Sequence, residues 1–215
     1  MKKIIIASAL LLAATTSSFG AVKAGKFGMD FSFAGSLGLW TTSSNGAANM
    51  PTFNGMPTVG FRYHLTDMIA IAPSLGFASV SGTNNQINGN KTENSGSQWG
   101  IGLEVPIYLL KLNALDFYVA PGVGYTSQSS TSKTTFASGA TPTESESTGS
   151  FLSLFAAIGL QIPINDQLHA FGKTTIGYAS GTTNPDKKSN PSDVDDKSSY
   201  FGVQSFAVGA IFYFN

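Results

Sequence analysis

From Phe27 onward the chain alternates oily and small or polar residues with a period of two. Phe27, Met29, Phe31, Phe33, Gly35, Leu37 and Leu39 fall on one side. Gly28, Asp30, Ser32, Ala34, Ser36, Gly38 and Trp40 fall on the other. Successive side chains of a β-strand point to opposite faces, so this spacing predicts a strand with one apolar face. Seven further segments repeat the pattern, near residues 59–65, 69–78, 99–109, 115–125, 152–162, 168–178 and 206–214. No charge falls on an apolar face. The charges within the strand centres, Asp30, Arg62, Glu104, Asp116 and Lys173, all sit on the opposite face. An arginine or lysine facing lipid at mid-bilayer costs about 2–4 kcal/mol, which accounts for that segregation. Most segments offer about 9–11 residues, the length a tilted strand needs to cross a bilayer.

The connectors alternate in length. Short ones centre on Thr66-Asp67, on residues 111–114 and on residues 164–166. Long ones, rich in Ser, Thr, Asn and Gly, cover residues 41–54, 81–97, 127–149 and 180–197. Eight strands with alternating short turns and long loops predict a closed antiparallel transmembrane β-barrel, its short turns periplasmic and its four long loops extracellular. A soluble sandwich or lipocalin-like barrel also alternates, but its solvent face is rich in Lys and Glu. Here the second face is Gly, Ala, Ser and Tyr, which suits the crowded lumen of a small barrel.

Composition changes the picture in a few places. Residues 1–21 read as a secretory signal: Lys2-Lys3, an apolar run over 4–14, then small residues, with cleavage between 20 and 24. Residues 22–215 then form the barrel domain. Formal net charge is zero, with Arg62 the single arginine, which argues against nucleic-acid binding. Cysteine is absent, so disulfides do not hold the fold. The pairs Gly100/Gly102 and Gly122/Gly124 lie inside strands, without the helix a nucleotide-binding loop requires. Nothing in the chain calls for a metal or a cofactor.

The last strand, Phe206-Ala-Val-Gly-Ala-Ile-Phe-Tyr-Phe214, resembles the C-terminal signature of outer-membrane β-barrels, with Phe206, Val208, Ala210, Phe212 and Phe214 on one face. Asn215 follows where that family usually ends on the aromatic. The chain as a whole resembles the small outer-membrane barrels that include OmpX, the OmpA barrel domain and OmpW. The resemblance implies recognition by the barrel-assembly machinery, contact with outer-membrane lipids and lipopolysaccharide, and a monomer. It leaves the function open.

Four inward charges, Asp30, Arg62, Glu104 and Lys173, are expected to pair into an electrostatic plug, because unpaired buried charges are costly. The small residues of the upper lumen leave two alternatives. One is a cup walled by Trp40, Phe151, Phe155 and Phe201. The other is a space filled by large neighbours. Aromatic girdles are expected at the outer rim from Trp99, Tyr125, Tyr178 and Tyr200, and at the inner rim from Phe27, Tyr63, Phe117 and Phe214. The two histidines, His64 and His169, map to the periplasmic ends of their strands, away from where outer-membrane enzymes of this kind carry their sites, so no catalysis is expected and a lipid-modifying enzyme is only a minor alternative. Two function classes remain. One is a surface-interaction barrel acting through its loops; the other is a narrow passage or cup for small solutes, hydrophobic ones included.

Overall fold

A computed structural model describes residues 23–35, 56–85, 89–112, 114–185 and 196–214. The proposed signal, the 41–54 connector and Trp40 lie outside them. The described residues form nine strand segments. They are β1 (Phe27–Gly35), β2 (Pro57–His64), β3 (Ala70–Asn85), β4 (Lys91–Glu104), β5 (Ile107–Leu112), β6 (Leu115–Thr135), β7 (Thr143–Pro163), β8 (Leu168–Pro185) and β9 (Asp196–Phe214). All pairings are antiparallel, and the sheet closes because β4 and β5 both pair with β6.

Nine segments make eight staves. Segments β4 and β5 are one strand interrupted at Val105-Pro106, since proline has no N–H for the ladder. The chain keeps its course: Ala70 N donates to Pro106 O and Tyr108 N donates to Met68 O. Closure is what a membrane demands, because lipid cannot satisfy a free strand edge.

The turns at one end are tight. Thr66 Oγ1 accepts from the backbone N–H groups of Met68 and Ile69, and Asn165 Oδ1 accepts from those of Gln167 and Leu168. Short polar side chains that satisfy the backbone two or three residues on are the usual chemistry of such turns.

At the other end the structure departs from the loop expectation. Pairing of β3 with β4 runs to Asn85↔Lys91, and pairing of β6 with β7 runs to Thr134↔Thr143. Most of residues 81–97 and 127–149 is therefore strand, and the 180–197 connector is strand to Pro185 and again from Asp196. The backbone ladder does not need apolar side chains. Hydroxyl pairs extend it, as between Ser97 and Ser129 at 2.9 Å and Thr92 and Thr134 at 3.4 Å. Gly89 and Gly139, with φ of 82° and 75°, take the left-handed turn positions at the two hairpin tips. Lys91, Glu93, Lys133 and Glu144 project from these extensions, so they stand in water above the bilayer.

Burial is inverted relative to a soluble protein. Outward Phe31, Leu75, Ile101, Leu154 and Val208 are exposed, whereas Asp30, Arg62, His64, Asp116, Gln161 and His169 are buried. A soluble sandwich would bury the first set, so the apolar face is the lipid face.

Candidate functional site

Inside the barrel the periplasmic half of the lumen carries large polar and aromatic side chains. Arg62 on β2 is 1% exposed. Its Nη1 donates to Tyr108 Oη (2.9 Å, β5) and to Gln161 Oε1 (3.0 Å, β7), and Tyr108 Oη also donates to Gln161 Oε1 (3.0 Å). Gln161 Nε2 lies 2.7 Å from His169 Nδ1 on β8 and 3.4 Å from Tyr213 Oη on β9. His64 Nε2 lies 3.1 Å from the same Tyr213 hydroxyl. The guanidinium stands 5.5 Å from the ring centre of Tyr118 and 5.7 Å from that of Phe171, within cation–π range. His64 stacks on Tyr108 at 5.3 Å. One arginine thus links groups from six strand segments across the ring.

The inward charges form two ion pairs. Arg62 Nη2 is 3.7 Å from Asp30 Oδ2. Lys173 Nζ is bonded to Glu104 Oε1 farther up the lumen. Beside these pairs lies a mixed chamber of about 70 Å³, lined by Asp30, Glu104, Lys173 and Gln204 and by the apolar Phe155 and Ala207, among others. The inward position of all four charges follows from strand parity. Sequence reasoning did not single out Gln161, Tyr108, Tyr118, Tyr213 or the two histidines as members of a network. A usable signal was present: inward residues are large near the short turns and small near the outer end.

The small upper-lumen residues are matched to large ones. A Cβ at Gly122 would meet the Phe155 ring at 2.6 Å, and one at Gly177 would meet Phe155 Cβ at 2.6 Å. A Cβ at Gly149 would meet Phe151 Cε2 at 3.2 Å. Phe151 is buried, and Phe155 lies over the glycines and lines the chamber beneath them. Lower down, a Cβ at Gly159 would run into the Tyr118 ring. Gly159→Val is expected to cost about 1–3 kcal/mol through overpacking, read from the urea midpoint of the barrel in lipid vesicles. An unchanged midpoint would mean that the Tyr118 ring has room to move.

Two placements need correction. Phe201 is 74% exposed and lies on the outer face, not on a cup wall. Tyr200 takes the inward side, its hydroxyl donating to Val203 O and lying over Gly202, so it does not belong to the outer girdle. The cause is a bulge. Thr175 pairs with Ser205 but Ile176 pairs with Val203, so Gln204 is extra and the alternation of β9 flips above it. Trp99 and Tyr125 do lie side by side at the outer rim, ring centres 5.5 Å apart, with Tyr178 also outward. Phe27 stacks on Phe61 and Phe214 at the inner rim, where Tyr63 faces outward and Phe117 is half-buried. Phe206, Val208, Phe212 and Phe214 face outward in one row, with half-buried Ala210 between them.

Residues 6–214 match the family model described as outer membrane protein beta-barrel domain. No curated protein matches the chain significantly. Among solved structures, a major outer membrane protein from Thermus thermophilus superposes with a TM-score of 0.51 at 13% identity, covering 89% of this chain and 100% of that one. OprG from Pseudomonas aeruginosa superposes with a TM-score of 0.50 at 12% identity, covering 92% and 99%. Such low identity carries the fold alone, whereas the family model spans nearly the whole sequence. The lipid-facing apolar belt, the closed ladder and that match agree: the chain belongs to the outer membrane β-barrel protein family and resides in the outer membrane.

Proposed function

We propose that this barrel works with a closed lumen, in outer-membrane structure and in surface interaction through its extracellular strand extensions. The observation that carries the reading is the Arg62 network, whose members Arg62, His64, Tyr108, Gln161, His169 and Tyr213 are all buried at the periplasmic end. An eight-stave ring is only wide enough for side chains to fill. The Asp30–Arg62 and Glu104–Lys173 pairs add an electrostatic plug of zero formal charge above and within it.

With the lumen closed, the working surface is the polar wall outside the bilayer. A groove of about 510 Å³ lies among the extended β3, β4, β6 and β7, lined by Ser81, Thr83, Glu93, Asn94, Lys133 and Glu144, among others. Hydroxyls, an amide and charges of both signs suit a hydrogen-bonding surface ligand better than an apolar one. The outward row from Phe206 to Phe214 is the segment we assign to recognition by the assembly machinery, and residues 1–21 to export. The reading assigns no reaction to His64 or His169, whose rings pack against Tyr108 and Tyr213.

In planar bilayers the purified barrel is expected to show no steady pore conductance, and in liposomes no swelling with small sugars. Sustained ohmic conductance would remove the closed-lumen reading and favour a passage for small solutes. Replacing Glu93, Lys133 and Glu144 together is expected to weaken surface binding while leaving conductance at background.

A further inference from the structure

We propose that the mid-lumen chamber is a binding site for neutral, hydrogen-bonding molecules, held by ordered water in the resting protein and closed to ions. The chamber measures about 70 Å³. One water needs roughly 10–15 Å³ of such space, so several fit.

Two groups facing this space leave hydrogen-bonding capacity for a guest: the Asp30 carboxylate, whose ion pair with Arg62 is long, and the Gln204 amide, whose Nε2 has no partner. Asp30 is 7% exposed. Its Oδ2 stands 3.7 Å from Arg62 Nη2, beyond hydrogen-bond reach. The reason is geometric: the other terminal nitrogen of that guanidinium is drawn down to Tyr108 and Gln161. Across the chamber, the buried Gln204 Nε2 donates to nothing. Gln204 is the extra residue of the β9 bulge, so the bulge is what brings this amide to the chamber. A buried carboxylate and a buried amide left unsatisfied would each carry a desolvation penalty.

Charge selects the guest. Asp30 and Glu104 are balanced by Arg62 and Lys173, so the chamber is formally neutral before anything enters. An added cation or anion would leave a net charge inside a low-dielectric ring. An apolar guest would leave both Asp30 and Gln204 unsatisfied. Water offers two donors and two acceptors, and it can bridge a carboxylate to an amide at no cost in charge. Water there also ties the lower ion pair to the upper one, so the four charges act as a single cluster. The inference deepens the closed-lumen reading and rests on it, since a conducting lumen would pass ions through the same space.

The test uses isotope-labelled protein in lipid nanodiscs. Long-lived water is expected to give cross-peaks to the amides of Ser32 and Gly102, and titration with sodium or potassium chloride is expected to give no saturable shift at those amides. Ala207→Val, which pushes methyl groups into the chamber, is expected to remove the cross-peaks and lower the urea midpoint. Filling an empty cavity would raise that midpoint instead. Absence of long-lived water in the wild type, a saturable salt shift, or a raised midpoint for Ala207→Val would each overturn the proposal. The wild-type spectrum decides even if the variant does not fold. Missing water in a barrel that shows no conductance removes this inference alone, whereas steady conductance removes the closed-lumen reading beneath it.

Discussion

Replacing Arg62 by methionine is expected to lower the unfolding free energy of the barrel by about 3–5 kcal/mol. The side chain is almost wholly buried and makes two hydrogen bonds, an ion pair and two cation–π contacts. Methionine matches much of its volume, so the loss is not mainly a cavity. What remains is a buried Asp30 without its counter-charge, a Tyr108 hydroxyl left to Gln161 alone and a Gln161 oxygen short of a donor. Removing one partner of a buried pair is far worse than removing both, because the survivor keeps its desolvation cost. The double variant Asp30→Asn with Arg62→Met is therefore expected to lose less than the sum of the two single variants, by a coupling of about 0.5–3 kcal/mol. Equilibrium urea unfolding in phospholipid vesicles measures both quantities. A loss under about 1 kcal/mol for Arg62→Met would mean that water, not this network, fills the periplasmic end.

Ile158→Arg is expected to cost about 2–4 kcal/mol in the same assay. Ile158 faces lipid near the middle of the apolar stretch of β7 from Leu152 to Ile162, flanked by Val119 on β6 and Thr174 on β8. An arginine there must carry its charge into hydrocarbon or drag water to it. The control is Ser129→Arg, which lies in the β6 extension beside Ser97 and outside the bilayer. It is expected to change stability by less than about 0.5 kcal/mol. Equal effects at the two sites would mean that the apolar belt does not face lipid.

Much of this molecule is legible in its residues. Asp30, Arg62 and Glu104 read as inward because each stands between oily neighbours, and Lys173 because it shares no parity with Leu168, Ile176 and Tyr178 on its strand. The same parity places Trp99, Tyr178 and Phe214 on the lipid side. It fails for Tyr200 and Phe201, because one extra residue at Gln204 inverts everything above it, and no composition or turn signal marks the spot. It also fails for residues 81–97 and 127–149. Serine, threonine and asparagine read as loop, yet they continue the ladder because the strands beneath are already aligned, so each further pair adds hydrogen bonds without a new loop-closure cost.

The sequence by itself determined the solvent of each face and the end of the barrel at which bulk collects, since alternation and charge exclusion are local consequences of contact with lipid. The tertiary structure alone decided which inward groups meet. Arg62 reaches Gln161 across 99 residues of chain, and His64 reaches Tyr213 across 149. Those meetings depend on the register with which the ring closes, and closure couples the first strand to the last through every pairing between them. No single segment carries that information, because the stagger around a closed sheet belongs to the whole ring.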